Sequence, residues 1–134
     1  MIDQFVKVAR SYVGTPFHWH GRIPGAGLDC SGVIVCAGRE VGLEFPCPKK
    51  YTRTGHIEVM EECLSARCVK VAMPAHGDIL VLDYPGGPGH LMILDGHQVI
   101  HASDDPRFMS VLTQPFDRSI QERVVAIYRI REGR

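Results

Sequence analysis

Net charge is the first thing missing. The 134-residue chain carries 15 Lys and Arg against 15 Asp and Glu, so with neutral histidines it sums to zero. Without a basic surface, neither nucleic acid nor an anionic membrane is expected as the main partner. Long apolar runs are missing too. The longest, 33–37 and 124–128, fall far short of the about 20 residues a bilayer-crossing helix needs, so no membrane insertion is expected. The amino-terminal MIDQFVKVAR has an acid at Asp3 and no apolar signal core, which leads to synthesis in the cytoplasm and, for any later export, another vehicle. The cysteines lack an even count. With five of them at least one thiol has no intrachain partner, and without a signal a disulfide scaffold is not expected. Zinc fares no better: Cys63 and Cys68 have no second Cys/His pair at a finger-like distance, and His18 and His20 have no third ligand nearby. At 45% hydrophobic and 22% charged, the composition is globular, and the length suits one core in a single domain over residues 1–134.

Helical spacing dominates the first half. Ile2, Phe5, Val6, Ala9, Tyr12 and Val13 recur at steps of three and four, with Gly14 placed to cap the helix end. A loop rich in breakers follows, and its glycines form no phosphate loop because no Gly-Lys-Ser/Thr follows them. Asp29 suits the N-cap of a second helix with Cys30, Val33, Ile34, Ala37 and Val41 buried and Gly42 ending it. A third helix is predicted over 56–65. Beyond residue 67 short apolar runs predict strands at 68–72, 78–84, 90–94, 97–102, 108–112 and 123–130. Asp95-Gly96 is the strongest hairpin signal. Helices first and antiparallel strands second make an α+β fold.

Cys30 is the cysteine with an electrostatic reason to react. In the first turn of a helix, unpaired N–H groups and the macrodipole favour a thiolate, which predicts a lowered pKa and a better nucleophile. Gly32 is expected to keep the approach to the sulfur open, with backbone N–H groups nearby for an oxyanion. A buried structural thiol fits the 30, 33, 34, 37 spacing equally well. The hairpin adds a partner. If Asp95-Gly96 is a two-residue turn, Leu94 pairs with His97, and the same register sets His90 opposite His101 with Cβ atoms about 5 Å apart. Such a pair can serve as a base and its orienter. With seven histidines in the chain, a chance edge pair also explains the spacing.

Asp29-Cys30-Ser31-Gly32 at a helix start resembles the signature of the NlpC-type cysteine peptidases, which cut peptidoglycan stem peptides. Gly14-Thr-Pro-Phe, Gly77-Asp-Ile-Leu, Gly89-His90 and Ile100-His101-Ala102-Ser103 follow in the family's order, so the likeness runs from about residue 5 to 130. The resemblance implies a minimal papain-like fold, with helices packed on an antiparallel, partly barrel-like sheet. It implies Cys30 as nucleophile, His90 as general base and His101 as the orienting third member, with no metal or organic cofactor. The bond implied is the amide between D-glutamate, through its side-chain carboxyl, and diaminopimelate or lysine. The resemblance further suggests that Asp29 and Ser31 recognise a stem-peptide amine, although Asp29 is equally explained as a helix cap. Trp19 suits a wall of the substrate groove. Phe17 stands where many relatives carry a tyrosine whose hydroxyl lies near the cysteine, and it has none to give. Roles for His18 and His20 rank below loop packing, Asp78 reads as a turn or strand-start residue, and His56, His76 and His97 read as surface positions. The stretch 17–22, the absent signal and the bare domain look most like phage or prophage tail-associated peptidases, which implies phage tail proteins as partners and action on the cell wall. Two rivals use the same fold: a non-catalytic tail-tip subunit, and an amide transferase with the same nucleophile.

Overall fold

A computed structural model describes residues 1–48, 50–52, 56–83 and 89–132, with the His56 side chain outside that description. In chain order the elements are α1 (Ile2–Ser11), β1 (Arg22–Ile23), β2 (Gly27–Leu28), α2 (Cys30–Glu40), α3 (His56–Ser65), β3 (Cys68–Val71), β4 (Ile79–Leu82), β5 (His90–Asp95), β6 (Gln98–Ala102), β7 (Val111–Pro115), α4 (Arg118–Gln121) and β8 (Val124–Ile130). Among the described residues β3 to β8 form one antiparallel sheet in the order β3-β8-β4-β5-β6-β7, and β1 pairs with β2 separately. The α+β reading holds. No described helix is long and apolar enough to cross a membrane.

The sheet is buried on both sides, which is why β4 reads as the unbroken apolar run Ile79-Leu-Val-Leu. Ile79, Val81, Leu91, Ile93 and Ile100 face α1, α2 and α3, and pack with Phe5, Val33, Ile34, Ala37 and Leu64. Leu80, Leu82, Met92, Leu94 and Val99 face the other way, where Ile120 of α4 and Phe116 cover them. Helix α2 lies between α1 and strands β5 and β6. Its residues Cys30 to Gly38 are buried all round rather than along the single stripe expected.

Three elements escaped the sequence and two shifted. Asp117 caps the short α4 by accepting from the Ile120 N–H at 3.1 Å, a turn too brief to show periodicity. The β1–β2 pair sits in the segment read as loop. The strand predicted at 108–112 begins only at Val111, because Asp105 draws Phe108 and Met109 into a turn through backbone bonds of 2.8 and 2.9 Å. Met109 there takes a φ of 48°. The strand predicted at 78–84 runs Ile79–Leu82, and Tyr84 lies outside the described residues. The third helix falls where expected, at His56–Ser65.

The hairpin register differs by two residues. Asp95 belongs to β5 and pairs with Gln98, with Leu94 opposite Val99 and Ile93 opposite Ile100, so the turn is Gly96-His97. Gly96 takes a φ of 60° at the first central position, the place where a tight hairpin needs a glycine. An even slip keeps every side chain on its face. His90 and His101 are therefore diagonal neighbours on one face, not direct opposites.

Candidate active site

The head of α2 is fixed by its cap. Asp29 is fully buried, and its carboxylate accepts from the Gly32 N–H at 2.7 Å, Arg22 Nη1 at 2.9 Å, Ser31 Oγ at 3.0 Å and the His20 N–H at 3.0 Å. The Tyr51 hydroxyl donates to it as well. Arg22 also reaches Tyr51 Oη at 2.9 Å, so a buried charge is matched by a guanidinium and satisfied by four further donors. Ser31 Oγ lies 2.7 Å from Tyr51 Oη. A substrate amine reaching Asp29 has to displace one of these donors. Arg22 and Tyr51 were not identified from sequence: Arg22 sits in the unread β1, and no spacing connects Tyr51 to Asp29.

Gly32 has a different task from the one expected. A Cβ there would stand 2.3 Å from the Gly21 carbonyl oxygen, so the glycine lets the 18–28 segment pass close over α2 rather than clearing a path to the sulfur. On that segment Phe17 stacks on Trp19 with ring centroids 6.5 Å apart, and Trp19 meets the edge of Tyr51 at 5.5 Å. Phe17 is half-buried and held by its N–H to the Met109 carbonyl at 2.8 Å. It has no hydroxyl, but Tyr51 brings one beside the residues flanking Cys30. Trp19, His20, Arg22 and Ile23 line an open, mainly apolar groove. His20 packs through Nε2, 2.7 Å from the Tyr51 carbonyl, and His18 is exposed.

The sulfur of Cys30 meets the sheet where two strands part. The Leu94 N–H bonds Asp78 on the β4 side at 2.8 Å, so alternation aims the N–H groups of Ile93 and Leu91 toward β6. The β5–β6 ladder ends at Ile93 and Ile100. Beyond it, the Leu91 N–H bonds the Cys30 thiol, as does the Ser31 N–H. Leu91 directly follows His90, which places nucleophile and base candidates at the same opening. Nε2 of His90 lies 2.7 Å from Nδ1 of His101, with the rings nearly perpendicular at 85°. Nε2 of His101 lies 2.6 Å from Oε1 of Gln114 on β7. Gln114 was not identified from sequence, because only the β6–β7 register, with His101 opposite Leu112, brings it to that face.

Cys30 is not a resting thiolate. Burial pushes its thiol up to about 12 and the Asp29 carboxylate adds to the rise, while the two N–H groups and Arg22 oppose it without reversing it. The helix tip alone predicts the opposite sign, and desolvation of a side chain only 4% exposed outweighs it. Burial lowers His101 below its ordinary 6.5, against the raising effects of Gln114 and Asp104, so its ring is neutral near pH 7. A depressed folded-state pKa means that the unfolded chain takes up the proton first as the pH falls. Stability is therefore expected to drop as pH falls below about 6.5, until His101 itself protonates. Urea unfolding of wild type and His101→Leu across pH 5 to 7 checks this: that part of the slope should vanish in the variant.

The other polar residues have structural duties. Asp78 is buried at the head of β4 and holds Arg129 through contacts of 3.0 and 2.9 Å, in keeping with a strand-start role. His76 and His97 are exposed, and the His56 side chain lies outside the described residues. Among the described residues the five cysteines form no disulfide. Among the described residues no three His, Cys, Asp or Glu side chains converge as a metal-binding group.

Helices packed on an antiparallel sheet, with a cysteine at a helix tip and histidines on the neighbouring strands, define a papain-like architecture. Residues 14–129 match the NlpC/P60 family, and the chain belongs to that family. Protein P54 of Enterococcus faecium is 32% identical over 103 residues, which is 72% of this chain, whereas the chain spans only 17% of the length of that relative. The NlpC/p60 domain of the peptidoglycan hydrolase SagA is 26% identical with a TM-score of 0.63, covering 97% of this chain and 99% of that one. An NlpC/P60 family protein of Bacillus cereus shares the fold at 20% identity with a TM-score of 0.71, over 97% of this chain and 40% of that one.

Proposed function

We propose that this chain is a cysteine endopeptidase that hydrolyses peptidoglycan stem peptides at the D-γ-glutamyl–diaminopimelate amide. What supports the reading is that the Cys30 thiol meets the N–H of Leu91, the residue after His90, while the His90 ring lies 2.7 Å from His101. The peptidoglycan hydrolase SagA, whose domain this chain resembles over its whole length, supports the substrate class. His90 takes the Cys30 proton as the sulfur attacks the amide carbonyl, and backbone N–H groups at the head of α2 hold the oxyanion. The C–N bond breaks as the His90 imidazolium protonates the leaving amine. Water, deprotonated by His90, then attacks the thioester and restores the thiol. Trp19 and Phe17 form a wall of the substrate groove, and Asp29 orders Ser31 and Tyr51 beside it, where they meet the stem-peptide amine.

Mass spectrometry of muropeptides digested by wild type and Cys30→Ala tests the proposal. Hydrolysis releases a new amine with wild type only. Identical digests would overturn the reading in favour of a non-catalytic subunit, and incorporation of an added amine in place of water would assign a transferase. We further propose, from the likeness of the 17–22 stretch to tail-associated peptidases, that the chain rides a phage tail to the cell wall. Antibody detection on purified particles tests this, and particles lacking the chain would contradict it.

A further inference from the structure

The hydrogen-bond chain behind His90 has a direction, set at its far end. An amide oxygen has no proton to give, so at 2.6 Å Oε1 of Gln114 must accept, and His101 carries its proton on Nε2. A neutral imidazole has one ring proton, so Nδ1 of His101 is then a lone-pair acceptor. At 2.7 Å it receives a proton from Nε2 of His90. With that proton on Nε2, the neutral form of His90 keeps its lone pair on Nδ1. The wrong tautomer at His101 would reverse the chain and place a proton on the nitrogen that has to receive one.

We propose that Gln114 is a positioning residue that fixes the tautomers of both histidines and so presents Nδ1 of His90 as the base for Cys30. The proposal rests on the reading of Cys30 and His90 as nucleophile and base. The titratable groups around His101 are His90 on β5, the Asp104 carboxylate beyond β6, and Cys30 at the head of α2, which packs on both strands. The acceptor that Nε2 meets is Oε1 of Gln114.

Nitrogen-15 NMR of the imidazole rings reads the tautomers directly and needs no turnover. Wild type should show both rings protonated at Nε2. Gln114→Leu should lose the fixed His101 tautomer and lower kcat about 10–100-fold with KM nearly unchanged, by analogy with loss of the hydrogen-bond partner behind a metal-bound histidine. Gln114→Glu keeps an acceptor but adds a charge that favours the His101 imidazolium. That ion donates from Nδ1 and flips His90, so the acidic limb of the kcat/KM profile should move to higher pH by about one unit or more, with activity recovered above it. A purely structural Gln114 would change thermal stability alone. Wild-type His101 protonated at Nδ1, or a Gln114→Glu profile that superimposes on wild type, would overturn the proposal. If Gln114→Leu does not fold, the wild-type tautomers and the Glu variant still decide. An inactive wild type with the expected tautomers would instead overturn the peptidase reading.

Discussion

Cys30→Ala is expected to lower the rate of muropeptide hydrolysis about 10⁴-fold or more, leaving the unfolding midpoint nearly unchanged. The size follows from the lack of a substitute. The neighbouring Ser31 Oγ is already bound to Asp29 at 3.0 Å and Tyr51 at 2.7 Å. Removing the sulfur leaves only binding and oxyanion contacts, which cannot form a covalent intermediate. Stability changes little, because a buried free cysteine packs as a small apolar group and Ala fills most of its volume. Initial rates by chromatography, beside urea unfolding of the same preparation, separate the two effects. A variant retaining a tenth of the activity would show that the sulfur is not the nucleophile.

The largest loss of stability is expected at Asp29. Asp29→Ala removes the acceptor for five donors and leaves Arg22, with a side chain only 16% exposed, beside no carboxylate. Breaking a buried ion pair in this way costs about 3–5 kcal/mol, and the lost helix cap is part of that figure. The melting temperature should fall by about 10–20 °C. Adding Arg22→Met should recover part of the loss, since the stranded charge is gone. Calorimetry on the two variants checks both statements. A fall below about 1 kcal/mol for Asp29→Ala would mean that the cluster does not anchor α2.

What could be read in the sequence follows the range over which each signal acts. Periodicity is local, so α3 and most of the strands appear where expected, and Asp29 declares itself as a cap by its position alone. The hairpin was visible but its register was not. Asp95-Gly96 and Gly96-His97 are both possible turns, and the choice falls to the backbone that puts Gly96 at a φ of 60°. The histidine pairing survived this slip because a shift of two residues preserves the face. Arg22, Tyr51 and Gln114 had no such protection, as each reaches the site from a separate segment and shows its task only after folding. The Cys30 pKa was misread for a related reason: the dipole of a helix can be inferred from its start, whereas burial depends on everything packed above it.

The proposed catalysis depends most on the passage of the Cys30 proton to His90. Because burial holds the thiol well above its ordinary range, the thiolate is a minor form at pH 7 without a base. Alkylation of Cys30 by iodoacetamide at pH 7, mapped by peptide mass spectrometry in wild type and His90→Ala, tests that passage most directly. Wild type should react about 10²–10⁴-fold faster than the variant, the range for a well-placed general base. Equal rates would show that the sulfur and the imidazole do not communicate, and would contradict the account.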